Sequence, residues 1–126
     1  MLKVLVVEDD LMIADALEEI LVDAGYEVCG IASTVDEAVR LGKSQRPDLG
    51  VIDFRLAGGG YGTEVTAELR KLGQFGVLYA TGNPDHPMLI RSKGDGCIAK
   101  PYSSRSIISA LRKVWQKMDD RTTTAK

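Results

Sequence analysis

Four short apolar stretches of this chain end in residues able to do chemistry. Glu8, Asp9 and Asp10 follow Leu2-Lys3-Val4-Leu5-Val6-Val7, and Asp53 follows Leu49-Gly50-Val51-Ile52. Thr81 follows Val77-Leu78-Tyr79-Ala80, and Lys100 follows Gly96-Cys97-Ile98-Ala99. Carboxylates gathered in one cleft repel one another, so such a cluster needs a cation or a raised pKa. Oxygen donors with no His or Cys among them suit Mg2+, which keeps several waters and commonly bridges to a phosphoryl oxygen. Lys100 adds a positive point charge and Thr81 a hydroxyl donor. Together these groups suit one task, stabilising the spread charge of a transferring phosphoryl group. An aspartate carboxylate serves as a phosphoryl nucleophile. Asp53 takes that role here because it stands alone, whereas Glu8 and Asp9 are adjacent and pair as metal ligands.

Each of these residues also has an ordinary structural reading. Glu8-Asp9-Asp10 can cap a following helix and complement its dipole, and Asp10 is expected to do so. A single Asp or Lys after a strand is commonly a turn residue or a solvated charge, and Thr81-Gly82-Asn83-Pro84 can be a plain turn. The chemical reading therefore depends on all of them meeting at one edge, which the surrounding elements must arrange.

The apolar stretches are too short for helices and rich in Val, and they read as strands. A further strand spans Glu27-Val28-Cys29-Gly30-Ile31-Ala32. Between strands one and two, Ile13, Ala16, Leu17, Ile20, Leu21 and Ala24 recur at helical spacing, with Gly25 as a left-handed C-cap. Thr34 and Glu37 fit a capping box opening a second helix that runs to about Ser44. Val65, Leu69 and Leu72 mark a third helix ended by Gly73, and a weaker helical signal surrounds Met88-Leu89-Ile90. Ile107, Ile108, Leu111, Val114, Trp115 and Met118 form the strongest amphipathic pattern, with Trp115 expected in the core. Strand and helix alternate five times, and the strands are near-continuously apolar, as strands buried on both faces are. The fold class is α/β: a doubly wound, five-stranded parallel sheet in the flavodoxin-like order 2-1-3-4-5, with helices on both faces. Ligands of such sheets bind at the carboxyl ends of the strands, and strands one and three are neighbours, so Glu8, Asp9 and Asp53 converge.

The 126 residues make one domain, spanning 1–118, with a polar tail at 119–126 that is expected to fray. Sixteen basic against eighteen acidic residues leave a net charge of −2, so no basic excess points to nucleic acid. No apolar run reaches a membrane span and the N-terminus lacks signal-peptide features, so the expected location is cytoplasmic. Cys29 and Cys97 form no metal pattern and are expected to be buried small hydrophobes. His86 lies between Pro84 and Pro87 in an expected loop and reads as an exposed imidazole. The glycine run Gly58-Gly59-Gly60-Tyr61-Gly62 is a flexible loop; no Gly-Lys-Ser/Thr comes after it, so P-loop and dinucleotide readings fall away.

Val6-Val7-Glu8-Asp9-Asp10, Pro47-Asp48-Leu49-Gly50-Val51-Ile52-Asp53, Thr81 after strand four, and Lys100-Pro101 stand in the order and spacing of a known family. From residue 2 to about 118 the chain resembles the receiver domain of two-component response regulators. The resemblance implies that Asp53 is the phosphoacceptor and that Glu8, Asp9 and Asp53 hold Mg2+, with the Arg55 backbone carbonyl as a further ligand. It implies that Thr81 and Lys100 contact the phosphoryl oxygens and that the Lys100-Pro101 bond is often cis. It further implies a phosphorelay in which a sensor histidine kinase or a histidine phosphotransfer protein donates from phosphohistidine. The receiver is then no enzyme in the ordinary sense, promoting only its own phosphorylation and dephosphorylation, and it signals to an unknown downstream protein by contact.

The chain departs from the family pattern in places. Cys97 stands three positions before the lysine, where an aromatic switch residue is usual, and Tyr102 or Tyr79 is a substitute for part of that role. The loop after Asp53 has glycines where a proline is usual. Tyr79-Ala80-Thr81-Gly82 resembles the Phe-Ala-Thr-Gly stretch of an atypical group of single-domain receivers. Arg55 and Asn83, each two positions beyond a site residue, flank the expected water path. Two other readings stay open. An Asp-nucleophile phosphatase of haloacid-dehalogenase type wants a second Asp where Arg55 stands. A degenerate receiver would serve only as a binding module.

Overall fold

The computed structural model describes residues 1–83 and 95–124. The helical signal at Met88-Leu89-Ile90 and the loop with Pro84, His86 and Pro87 lie outside the described residues. Five strands, β1 (Lys3–Val7), β2 (Glu27–Ala32), β3 (Leu49–Asp53), β4 (Gly76–Thr81) and β5 (Gly96–Ala99), form one sheet in the order β2-β1-β3-β4-β5. Every pairing is parallel. Four α-helices accompany them among the described residues: α1 (Leu11–Asp23), α2 (Val35–Gln45), α3 (Gly62–Arg70) and α4 (Ser104–Thr124).

The period of two in a strand builds two cores from one sheet. Leu5, Val7, Ile52, Val77 and Tyr79 join Ala38 of α2 and Val65 and Leu69 of α3 on one face. Val4, Val6, Leu49, Val51 and Leu78 join Ala14, Leu17 and Leu21 of α1 and Ile107, Leu111, Val114 and Met118 of α4 on the other. Apart from Lys3 at the start of β1 and Asp53 and Thr81 at the ends of β3 and β4, these three strands are apolar because both their faces are covered. β2 and β5 are edge strands and are buried only in part. That corrects the expectation for the cysteines: Cys97 of β5 is exposed and Cys29 of β2 is half-buried.

The starts of α1 and α2 and the end of α1 follow their sequence signals, whereas α3 stops at Arg70, before the Gly73 expected to end it. The Asp10 carboxylate accepts the Met12 and Ile13 backbone N–H groups at 3.0 and 3.3 Å. Thr34 Oγ1 accepts the Glu37 N–H at 3.2 Å, and Glu37 reaches back to the Ser33 N–H at 2.7 Å. Gly25 has φ +95°, as a left-handed cap requires. The buried stripe of α1 is Ala14, Leu17 and Leu21, while Ala16 and Ala24 are exposed and Ile20 is half-buried. The buried face is thus narrower than the apolar one, because the flank of α1 that carries Ala16, Ile20 and Ala24 borders an open groove beside α4. Leu72 falls beyond the end of α3 and is 37% exposed. Trp115 packs half-buried at the margin of the core. α4 continues past Met118 to Thr124. None of the described helices is long and apolar enough to cross a membrane.

Candidate functional site

Because every strand is parallel, all carboxyl ends lie along one rim of the sheet, and the chain's reactive side chains stand there. Glu8 follows β1 and its backbone N–H donates to Ala32 O at 2.8 Å, which fixes it beside the end of β2. Asp53 closes β3 opposite Ala80 of β4. Thr81 closes β4 opposite Ala99 of β5, and the Lys100 N–H donates to Thr81 O at 2.8 Å. The ladder carries on past Asp53 through the Phe54 N–H to Ala80 O at 2.9 Å. The Lys100-Pro101 peptide bond is cis.

Side chains distant in sequence meet at this rim. Lys100 Nζ lies 2.8 Å from Glu8 Oε1 and 3.2 Å from Asp53 Oδ2. The second Glu8 oxygen accepts the Asp10 N–H at 3.1 Å. Glu8 and Asp53 are buried, at 3% and 9% exposure, whereas Asp9 is open to solvent. Ligand oxygens of Glu8, Asp9 and Asp53 all lie within 4.8 Å of one another. Thr81 is buried, and its Oγ1 accepts the Asn83 N–H at 3.0 Å. Arg55 is exposed, and its backbone pairs antiparallel with Tyr61 across the β3–α3 loop.

The electrostatics follow from that crowding. Burial and then the neighbouring Glu8 charge push the Asp53 carboxyl from 3.8 up to about 7, against the pull of Lys100. Burial pulls the Lys100 ammonium down, but the Glu8 hydrogen bond and the Asp53 and Glu8 charges outweigh it, so its pKa stands above the ordinary lysine value. The Tyr102 phenol is raised, first by burial and then by Glu8. Three carboxylates against one ammonium leave the pocket with excess negative charge on its solvent side, at Asp9. Donors of this kind, all oxygen and with no His or Cys, fit a hard divalent cation.

Several contributors give no signal in the sequence. Gly62 abuts the site: a Cβ there would stand 2.5 Å from the Asp53 backbone oxygen. Thr66 Oγ1 and the Tyr79 hydroxyl share a hydrogen bond of 2.7 Å inside the core, and Phe54 packs edge-on to the Tyr79 ring. Tyr79 is thereby held in the interior, whereas Tyr102 lies half-buried just beyond Lys100. Asp95 is buried at the opposite end of β5, where it accepts Arg70 Nη2 at 2.8 Å and the Val77 N–H at 2.9 Å. A glycine at a helix start and a hydroxyl inside a helix are common, and only the tertiary contact gives them meaning.

An open parallel sheet in this order with an acidic pocket and a lysine at its carboxyl rim defines a class, the phosphoacceptor receivers. The response regulator receiver domain family matches residues 4–112, and the chain belongs to that family. The phyllosphere-induced regulator PhyR of Methylorubrum extorquens is 31% identical over 111 residues, covering 86% of this chain and 42% of that protein. The transcriptional regulatory protein PdtaR of Mycobacterium tuberculosis is 29% identical over 112 residues, covering 86% of this chain and 54% of that protein. The chain thus spans about half the length of the curated relatives it matches. Among solved structures, the receiver domain of a modulated diguanylate cyclase from Desulfovibrio desulfuricans superposes with a TM-score of 0.77 at 31% identity, covering 93% of this chain and 98% of that one. PhyR from Brucella abortus superposes with a TM-score of 0.83 at 25% identity, covering 98% of this chain and 51% of that one.

Proposed function

We propose that this receiver accepts a phosphoryl group on Asp53 from a phosphohistidine and passes the signal on by protein–protein contact in the cytoplasm. An Asp53 carboxylate oxygen attacks phosphorus, the P–N bond to the donor imidazole breaks, and the electron pair leaves with that nitrogen. Asp53 must be ionised to attack, and Lys100, 3.2 Å away, favours the ionised form. As the bond forms, the Lys100 ammonium moves from Asp53 onto a phosphoryl oxygen while keeping Glu8 within reach, and the Thr81 hydroxyl donates to another. Glu8, Asp9, Asp53 and the Arg55 carbonyl are the residues that would hold Mg2+. When bound there, the ion supplies the positive charge that lowers the Asp53 pKa and offsets the charge of the phosphoryl oxygens. The chain acts on no other substrate: it promotes its own phosphorylation and the return of phosphate to water.

The observation that supports this reading best is the bridging of Glu8 and Asp53 by one ammonium inside an acidic cluster. A binding module alone has no need to bury two carboxylates and a lysine together, since such a group costs more in desolvation than an apolar filling. The test is transfer from autophosphorylated histidine kinases or histidine phosphotransfer proteins carrying radiolabelled phosphate. Acid-stable, hydroxylamine-sensitive label on the wild type, and none on Asp53→Asn, is expected. Label that persists on Asp53→Asn, or turnover of small phosphate esters, contradicts the proposal.

A further inference from the structure

Thr66 of α3 and Tyr79 of β4 are both buried, yet each carries a hydroxyl into the interior. A hydroxyl taken out of water costs free energy unless it is hydrogen-bonded. These two are bonded to each other at 2.7 Å, and Thr66 Oγ1 also donates to the Gly62 carbonyl oxygen, one helical turn earlier, at 3.3 Å. A carbonyl oxygen can only accept, so the single Thr66 hydroxyl hydrogen goes to Gly62 and the Tyr79 O–H donates to Thr66. The result is a directed chain from β4 through Thr66 to the first residue of α3.

Gly62 is also where the loop after Asp53 closes. Its N–H donates to Phe54 O at 2.7 Å, and no Cβ fits between it and the Asp53 backbone oxygen. Arg55 stands in that loop, together with Gly58, Gly59 and Gly60. Three consecutive glycines give the loop little stiffness of its own. Its shape is set by the Leu56 N–H to Gly60 O bond at 2.8 Å and by Gly62, and behind Gly62 stand Thr66 and Tyr79. The Phe54 ring adds a second contact to β4, edge-on to the Tyr79 ring with centroids 6.1 Å apart. We propose that Tyr79 and Thr66 are positioning residues for the phosphoacceptor pocket. Their hydroxyl pair locks the start of α3 onto β4 and so holds the backbone of residues 53–55 in the geometry that takes the divalent ion. They act through Gly62 and not on the ion itself. Groups that orient ligands from behind set metal affinity in this way. The inference rests on the reading of the pocket as a divalent-ion site, and not on any particular phosphodonor.

The test is Mn2+ binding to the full chain, followed by electron paramagnetic resonance, with amide hydrogen exchange at Gly62 reading the tie itself. Mn2+ takes oxygen ligands as Mg2+ does and is paramagnetic. Tyr79→Phe keeps the ring and removes only the hydroxyl, and Thr66→Val removes the other hydroxyl at similar volume. Each should raise the Kd for Mn2+ by about three- to tenfold and speed exchange of the Gly62 N–H. The double variant should bind no more weakly than the worse single one, because both changes break the same link. Thr66→Ser, which keeps the hydroxyl, should bind close to the wild type. Thermal unfolding separates positioning from packing: variants that melt earlier yet bind Mn2+ as the wild type does overturn the proposal. Additive losses in the double variant, or a Thr66→Ser chain as weak as Thr66→Val, overturn it as well. Failure of the wild type to take phosphate would contradict the function proposed above, while the Mn2+ shifts would still decide this inference.

Discussion

Lys100 and Glu8 stand 92 positions apart in the chain and 2.8 Å apart in space. The two ends of the domain are joined at the site itself, and Asp53 of the central strand shares the same ammonium at 3.2 Å. The pair holds Glu8 in place, and it leaves Asp53 between an attracting lysine and a repelling glutamate. Removing Lys100 should therefore affect stability and chemistry together. Lys100→Met is expected to cost about 1–3 kcal/mol, because it leaves buried carboxylates without their counter-charge. It should slow phosphorylation by at least about tenfold. Urea unfolding and label uptake measure the two effects separately.

The crowded Asp53 predicts a pH dependence whose sign is fixed. Its carboxyl stands at about 7 in the fold against 3.8 for an ordinary aspartate. The folded state thus holds this proton more tightly than the unfolded chain does. The stability this proton contributes is fully present below about pH 4, falls as pH rises towards 7, and is gone above it. Asp53→Asn abolishes this loss. In chelator-treated samples the variant should be more stable than wild type at pH 8, by on the order of 1–2 kcal/mol once solvent screening is allowed for, and the difference should shrink at pH 5. Equal stabilities at both pH values contradict the assignment.

Gly62 should be intolerant of a methyl group. A Cβ there meets the Asp53 backbone oxygen at 2.5 Å and Ile52 Cγ2 at 2.6 Å, and the backbone atom cannot give way without moving the phosphoacceptor. Gly62→Ala is expected to cost about 1–3 kcal/mol and to lower the phosphorylation rate. Gly58 makes the control: its φ is +82° but nothing lies within 4 Å of a Cβ. Gly58→Ala should cost only about 1 kcal/mol and leave the rate near wild type.

Arg55 and Asn83 are exposed beside the rim, and neither belongs to the acidic cluster. Arg55→Ala and Asn83→Ala should each change the lifetime of the aspartyl phosphate by a few-fold while leaving the extent of phosphorylation unchanged. Decay of label after removal of the donor is the measurement. Lifetimes equal to wild type in both variants count against a role for these residues on the water path.

The aromatic substitution near β5 can be tested in the same way. Tyr79 is held in the core by Thr66, whereas Tyr102 sits half-buried next to Lys100. Tyr102→Ala should accept phosphate normally yet lose any phosphorylation-dependent change in hydrogen exchange around β4 and β5. An unchanged exchange response removes Tyr102 from the switch.

The sheet order and the rim residues were legible because parallel strands force their carboxyl ends together, so the residue that ends each apolar run marks the pocket. Glu8, Asp53, Thr81 and Lys100 were found in this way, and the Thr34–Glu37 cap was found from local spacing. The illegible features depended on position across the sheet. Cys97 lies in an apolar run like Val51 does, but β5 is an edge strand, and no periodicity distinguishes an edge from a centre. Leu72 continues the helical spacing of Val65 and Leu69, yet α3 ends at Arg70 and leaves it exposed. The bridging of Glu8 and Asp53 by Lys100 needed the β5 position in three dimensions, as did the close approach of Gly62 to Asp53.

Asp53 takes the phosphoryl group, on this proposal, with the help of a divalent ion. Intact-mass spectrometry after incubation with acetyl phosphate tests it directly, with and without Mg2+, for wild type and Asp53→Asn. One added phosphoryl group is expected on the wild type in the presence of Mg2+, and none without the ion or on the variant. A modified Asp53→Asn chain, or a wild type that remains unmodified with Mg2+ present, would contradict the proposal.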